Sequence, residues 1–144
     1  MANSVRDAMT ENPRSIGQSA SVIEAAQLMR DQHIGSLPIT DDETLVGMIT
    51  DRDIATRVVA EAADPKMTSV GDVYSQDLIS VEPDSDLEEA VQLMARHQVR
   101  RLPVVENGRL VGIVAQADIA LRKNETKTGE LVEAISEPSE GERR

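Results

Sequence analysis

The chain has 144 residues, a formal net charge of −11 and no cysteine. A chain of this length buries roughly 68–70% of its unfolded surface, so it needs no disulfide or structural metal to hold one compact domain. The acidity excludes the basic footprint of a nucleic-acid or anionic-membrane binder, and an aromatic content of 1% leaves no platform for stacked bases.

The N-terminal "MANSVRDAMTENPRS" carries no apolar signal core, and no run approaches the ~20 apolar residues of a membrane span. The lack of cysteine removes disulfide and thiol chemistry and fits a reducing compartment, so the expected location is cytoplasmic. "Asn124-Glu125-Thr126" matches the glycosylation triplet, a chance match without a secretion signal. An extended piece at Arg14–Ile16 is followed by a polar break and then a helix. Val22, Ala25, Ala26, Leu28 and Met29 share one face of that helix, and Ser21 with Glu24 forms a capping-box-like start. Two β-rich runs follow, Leu37–Thr40 and Leu45–Thr50, joined by the hairpin-like turn "DDET". A second helix begins near Asp51. Ala63–Ser69, with Pro65, reads as a linker.

The same order then returns. Shifted by 65, the chain aligns on itself without a gap from Val5 to Arg57, and 17 of those 53 positions are identical. "EAAQLM" becomes "EAVQLM", "SLPI" becomes "RLPV", and "LVGMI" becomes "LVGIV". The extended piece is now "LISV". The helix carries Leu87, Ala90, Val91, Leu93 and Met94 on one face behind Asp86 and Glu89 as a second capping-box-like start. The hairpin runs are Leu102–Val105 and Leu110–Val114, with Asn107-Gly108 a strong turn signal, and a last helix begins near Gln116. Each unit is β-α-β-β-α, and the fold class is α/β (α+β). The expected layout is repeat one at 1–62, a linker at 63–69, repeat two at 70–123, and a tail at 124–144. In that tail "GELVEAIS" suits one more helix and "EPSEGERR" suits disorder.

The ordered motifs "SxxEAxxLM…LPI…LVGMITDRDI", present twice, resemble the cystathionine-β-synthase (CBS) domain, and two in tandem resemble the CBS pair or Bateman module. The resemblance covers roughly Val5 to Arg122. The short acidic chain is also similar to the small stand-alone bacterial CBS-pair group that includes hypoxic-response proteins. The resemblance implies repeats related by pseudo-two-fold symmetry, two clefts for adenosine-containing ligands (AMP, ADP, ATP, S-adenosylmethionine), a regulatory and non-catalytic role, and a homodimer. It also implies the lining of each cleft. Thr50 and Asp53 would face Asp77, Leu78, Ile79, Val99 and Arg100. Asp118 would face Asn12, Pro13, Arg14, Ile34, Gly35 and Ser36. Arg100 and Arg101, just before "LPV", would meet phosphate, and a planar guanidinium fork suits that anion.

"GMITDRDI" holds Gly-x-x-Thr-x-x-Asp, and "GIVAQADI" repeats it with Ala115 in place of Thr50. An aspartate about one turn into a helix can accept both hydroxyls of a ribose, beside unpaired N–H groups that favour an anion. Thr50-x-x-Asp53 is equally a capping box, and a first-turn acid suits the helix dipole. Asp118 persists where its capping partner is gone, which favours a second duty and two unequal sites. Arg100 and Arg101 read from composition as a solvated surface pair. His33 and His97 read as helix-end residues, "Asp51-Arg52-Asp53" as helix-start acids, and Asp41–Glu43 as a solvated turn, so no metal is expected. No nucleophile–base pair, phosphate loop or HExxH appears, so no catalysis is expected. The competing reading is a ligand-free interaction module.

Overall fold

The computed structural model describes residues 3–75 and 78–126, with side chains as far as 122. In chain order its elements are α1 (Val5–Ala8), β1 (Thr10–Glu11), β2 (Ile16–Gly17), α2 (Val22–Gln32), β3 (Ser36–Asp41), β4 (Thr44–Thr50), α3 (Asp51–Ile54), α4 (Leu87–His97), β5 (Arg101–Glu106), β6 (Arg109–Ala115) and α5 (Gln116–Thr126). The chain is mixed α+β. The tail segments "GELVEAIS" and "EPSEGERR" lie outside the described residues.

Two compact units form, and neither is a contiguous stretch of chain. Of the described residues, the first contains those between Asn12 and Ile79 with Val105–Leu110, and the second contains those up to Glu11, Ser80–Val104 and those from Val111 on. The start of the first repeat therefore belongs to the unit built on the second.

In the first unit, α2 begins as its sequence implies. The Glu24 N–H donates to the Ser21 hydroxyl at 3.3 Å, and the Ser21 N–H donates to Glu24 Oε1 at 3.0 Å. Its buried stripe is Val22, Ala25 and Met29, while Ala26 and Leu28 are half-buried at its margin. β3 and β4 form an antiparallel hairpin in which Ser36 faces Thr50 and Ile39 faces Gly47, and β2 adds in parallel beside β3. The two turn residues, Asp42 and Glu43, have φ of 55° and 78°, the left-handed pair that a tight hairpin turn needs. Glu43 holds that conformation without being glycine, and it pairs with Arg109 while its carbonyl accepts the Leu110 N–H at 3.0 Å. Leu37, Ile39, Ile49, Val58 and Val70 are fully buried with Val22 and Ala25 in one core cluster. Burying each such aliphatic side chain contributes about 1.5–3 kcal/mol. After α3 the helix widens into a π turn over Ala55–Val59, with the Ala60 N–H reaching the Ala55 carbonyl at 2.9 Å, and Val58 points into the core.

In the second unit, α4 buries Leu87, Ala90 and Met94, the same offsets as in α2. β5 and β6 form the matching hairpin, and its turn residues Asn107 and Gly108, at φ of 54° and 82°, belong with the first unit. Two expectations are corrected here. Asp86 makes no side-chain cap bond. It pairs with Ser4 as a bridge, the Asn3 carbonyl takes the Leu87 N–H at 3.1 Å, and the Glu89 N–H goes to the Asp86 carbonyl. "LISV" forms no strand. It makes an isolated parallel bridge, Val81 to Val104, and Pro83 two residues later has no N–H to extend it.

Helix α1 was not anticipated. Its signal is the box Ser4-x-x-Asp7, in which the Ser4 N–H donates to Asp7 Oδ2 at 3.1 Å. The same letters return at Ser69-Val70-x-Asp72 as a short 3-10 turn. α1 is held within the second unit by the Val5 N–H to the Ser85 carbonyl, the Arg6 N–H to the Pro83 carbonyl and full burial of Val5.

The repeated glycine of the motif also has a structural reason. Tyr74 lies over Gly47 in the first unit, so that a Cβ there would overlap ring carbons Cδ2 and Cε2. In the second unit Met9 and Thr10 lie over Gly112, where a Cβ would sit 2.8 Å from Met9 Sδ and 2.9 Å from the Thr10 carbonyl oxygen. Met9 and Tyr74 are themselves 65 residues apart, so each glycine makes room for the opening segment of the other repeat.

Candidate site at two strand-to-helix junctions

In the first unit the junction is β4 into α3. The Thr50 hydroxyl accepts the Asp53 N–H at 3.0 Å, and Asp53 Oδ2 accepts the Thr50 N–H at 2.9 Å. The capping box is complete. Asp53 is nevertheless unusual, a charged side chain only 7% exposed. Its other oxygen, Oδ1, lies 3.9 Å from Arg57 Nε, and Arg57 Nη1 also donates to the Tyr74 carbonyl at 3.4 Å. Arg57 thus connects the buried carboxylate to the segment lying over Gly47. Sequence reasoning passed over Arg57, although its i,i+4 spacing from Asp53 is the signal for such a pair. The Asp51 N–H closes the junction on the Gly35 carbonyl at 2.9 Å. Ile34, Gly35 and Ser36 therefore lie in their own unit against Thr50 and Asp51.

In the second unit the junction is β6 into α5, and the Gln116 N–H meets the Arg100 carbonyl at 2.8 Å. Asp118 sits half-buried in the first turn of α5, and no hydrogen bond to it is found among the described residues. Arg101 is half-buried at the start of β5, while Arg100 is exposed. Burial pushes the Arg101 guanidinium below its ordinary value, and the charge of Asp118 acts in the opposite direction. Arg101 Nη1 is fully enclosed with no hydrogen-bond acceptor among the described residues.

Among the other expected residues, Val99 and Arg100 line one groove of the second unit together with Gln116. Asn12 and Arg14 are exposed and Pro13 is half-buried, with Asn12 at φ 53°. Leu78 is exposed, Ile79 and Val99 are half-buried, and Asp77 lies outside the described residues. His33 is the left-handed C-cap of α2 and His97 ends α4. Among the described residues no three His, Asp or Glu side chains gather as metal ligands, and no helix is long and apolar enough to cross a membrane.

The family model for the CBS domain matches the chain twice, over residues 5–60 and 70–124. Hypoxic response protein 1 of Mycobacterium tuberculosis is 40% identical over 134 residues, 92% of this chain and 94% of that protein. A crystal structure of Hypoxic Response Protein I with two coordinated zinc ions superposes at a TM-score of 0.77 and 40% identity, covering 83% of this chain and 98% of that one. Two other solved structures hold adenosine compounds. The CBS domain pair of protein MJ0100, in complex with 5-methylthioadenosine and S-adenosyl-L-methionine, matches at a TM-score of 0.74 and 28% identity over 88% of this chain and 99% of that one. CBSX2 in complex with AMP matches at 0.73 and 29%, over 86% and 98%.

Proposed function

The chain belongs to the CBS-domain family, and we propose that it is a non-catalytic regulatory CBS pair that binds an adenosine-containing ligand through the carboxylates of Asp53 and Asp118. The observation that carries this reading is Asp118. It occupies the first turn of α5 with no hydrogen bond among the described residues, and Ala115 offers no hydroxyl to cap with. A half-buried carboxylate with no hydrogen bond among the described residues is poised to accept the two hydroxyls of a ribose. Relatives solved with AMP, 5-methylthioadenosine and S-adenosyl-L-methionine support the ligand class. The protein would act in the cytoplasm by changing its response to a partner when the ligand binds.

AMP, ADP, ATP and S-adenosylmethionine at millimolar concentration are the probes. A ligand at ~100 times its dissociation constant should add ~2.7 kcal/mol and raise the melting temperature by roughly 5–10 °C. No shift with any of the four would remove the sensor reading. The ligand-free interaction module would then stand, and it has its own support. Asp53 is closed into a capping box, while Val59 and Leu121 are exposed at 70% and 50%.

The protein is also expected to be a homodimer. A groove of about 510 Å³ runs between α4 and α5, lined by Val91, Met94, Ala95, Ile119 and Ala120 among others. A second copy would cover that groove, and Leu121 is a further exposed apolar side chain on α5. Light scattering at micromolar concentration should give twice the chain mass, and a monomer would contradict this.

A further inference from the structure

The helix start uses only one of the two Asp53 oxygens. Oδ2 accepts the Thr50 N–H at 2.9 Å. Oδ1 faces Arg57, whose Nε stands 3.9 Å away, an ion pair too long for a hydrogen bond. The lone pairs of Oδ1 therefore stay open to a hydroxyl donor. Nη1 of the same guanidinium reaches the Tyr74 carbonyl at 3.4 Å, a long contact for such a bond. One cation is thus shared between two acceptors and is tight on neither.

The backbone sets this arrangement. Arg57 lies in the π turn Ala55–Val59, a widened turn of the kind that recurs at functional positions. Val58 fills the core while Arg57 beside it stays exposed. Asp118 and Arg122 repeat the same spacing in the second repeat, where Ala115 has removed the capping hydroxyl. The arginine therefore accompanies the aspartate and not the cap. At its other end Arg57 meets a segment that packs on β4. Tyr74 lies over Gly47, and Ser75 bridges to Met48.

Resting on the adenosine reading of Asp53, we propose that Arg57 is a positioning residue that couples ribose binding at that carboxylate to the Tyr74 segment. Ribose hydroxyls donating to Oδ1 offset part of its charge, and the guanidinium then closes on the Tyr74 carbonyl. A bond that is long in this structure shortens when ligand binds. By linkage, that gain on the protein side strengthens binding by the same factor. The first unit thereby passes occupancy of its junction to the chain segment lying across its own sheet.

Tyr74 is the only tyrosine of the chain, so ring-13C-labelled tyrosine gives one signal that reports on this segment alone. The full chain is titrated with AMP and with adenosine, by calorimetry and by that signal. In the wild type the Tyr74 signal should shift in step with the binding event that Asp53→Ala abolishes. Arg57→Met keeps the apolar stem and removes both contacts. It should weaken that event roughly fivefold for both ligands, the low end of coupling between sites, and leave the Tyr74 signal unmoved at saturation. Arg57→Lys should recover most of the affinity through its charge but little of the Tyr74 shift, because a single ammonium does not bridge the two acceptors. A Tyr74 shift undiminished in saturated Arg57→Met overturns the proposal and leaves the adenosine reading intact. So does a loss confined to AMP, which would make Arg57 a direct phosphate contact. If neither ligand gives an event that depends on Asp53, the ribose reading of Asp53 fails and the proposal with it.

Discussion

Replacing Gly47 with alanine is expected to lower the melting temperature by roughly 3–10 °C, the equivalent of about 1–3 kcal/mol for overpacking in a chain of this size. The added Cβ would overlap Cδ2 and Cε2 of the Tyr74 ring, so the ring must leave β4 or the strand must bend. Neither move is free. Ser75 forms a bridge to Met48, and the Tyr74 carbonyl accepts from Arg57, so displacing the ring disturbs a segment tied at both residues. Gly17 is the control, because a Cβ there meets nothing within 4 Å and alanine should be neutral or slightly stabilising. The cause is checked with Tyr74→Ala in the Gly47→Ala background. If the clash is responsible, the second change costs less than it does in the wild type, with a coupling of about 0.5–3 kcal/mol. An unchanged melting temperature for Gly47→Ala would show that the ring does not pack on β4 as described.

Asp53→Ala is expected to fail in two measurements at once. Without ligand the Thr50 N–H loses its acceptor at 2.9 Å and Arg57 loses its nearest carboxylate, which costs about 0.5–2 kcal/mol of stability. With ligand, the ribose hydroxyls lose a charged acceptor. Hydrogen bonds to charged groups contribute about 1.5–3 kcal/mol each, so adenosine affinity should fall at least tenfold. Asp53→Asn separates the roles. It keeps one oxygen for the Thr50 N–H and should recover most of the melting temperature, while the loss of charge leaves binding weak. Asp118→Ala loses no helix-start hydrogen bond found among the described residues and should spare the Asp53 event. Titration calorimetry beside thermal melts reads both quantities. Equal losses of affinity from Asp53→Ala and Asp118→Ala would remove the idea of two unequal sites.

Much of the architecture is legible in the chain because it rests on local rules. The stripe at 22, 25 and 29 recurs at 87, 90 and 94, and helical spacing suffices to place both on buried faces. Asn107-Gly108 announces its turn through the positive φ that asparagine and glycine tolerate. Asp42-Glu43 adopts the same turn with poorer letters, so its type is read from the repeat and not from its own residues. Thr50-x-x-Asp53 was ambiguous between cap and ligand site, and the local chemistry satisfied in the fold is the cap.

By itself, then, the sequence determined the repeat, the α-β-β-α order in each copy and the two junctions where a strand hands an aspartate to a helix, since each follows from periodicity and turn chemistry within a few residues. Only the tertiary structure decided which segments keep company. Val5 and Met9 belong to the unit of the second repeat, and Tyr74 to the unit of the first, because burial and strand pairing are satisfied by neighbours in space. For the same reason the role of Gly47, the Arg57 link from Asp53 to Tyr74 and the enclosed nitrogen of Arg101 have no reading in the letters. Each depends on which long-range neighbour fills the space beside a side chain, and hydrophobic burial is non-directional, so spacing along the chain carries no record of that choice.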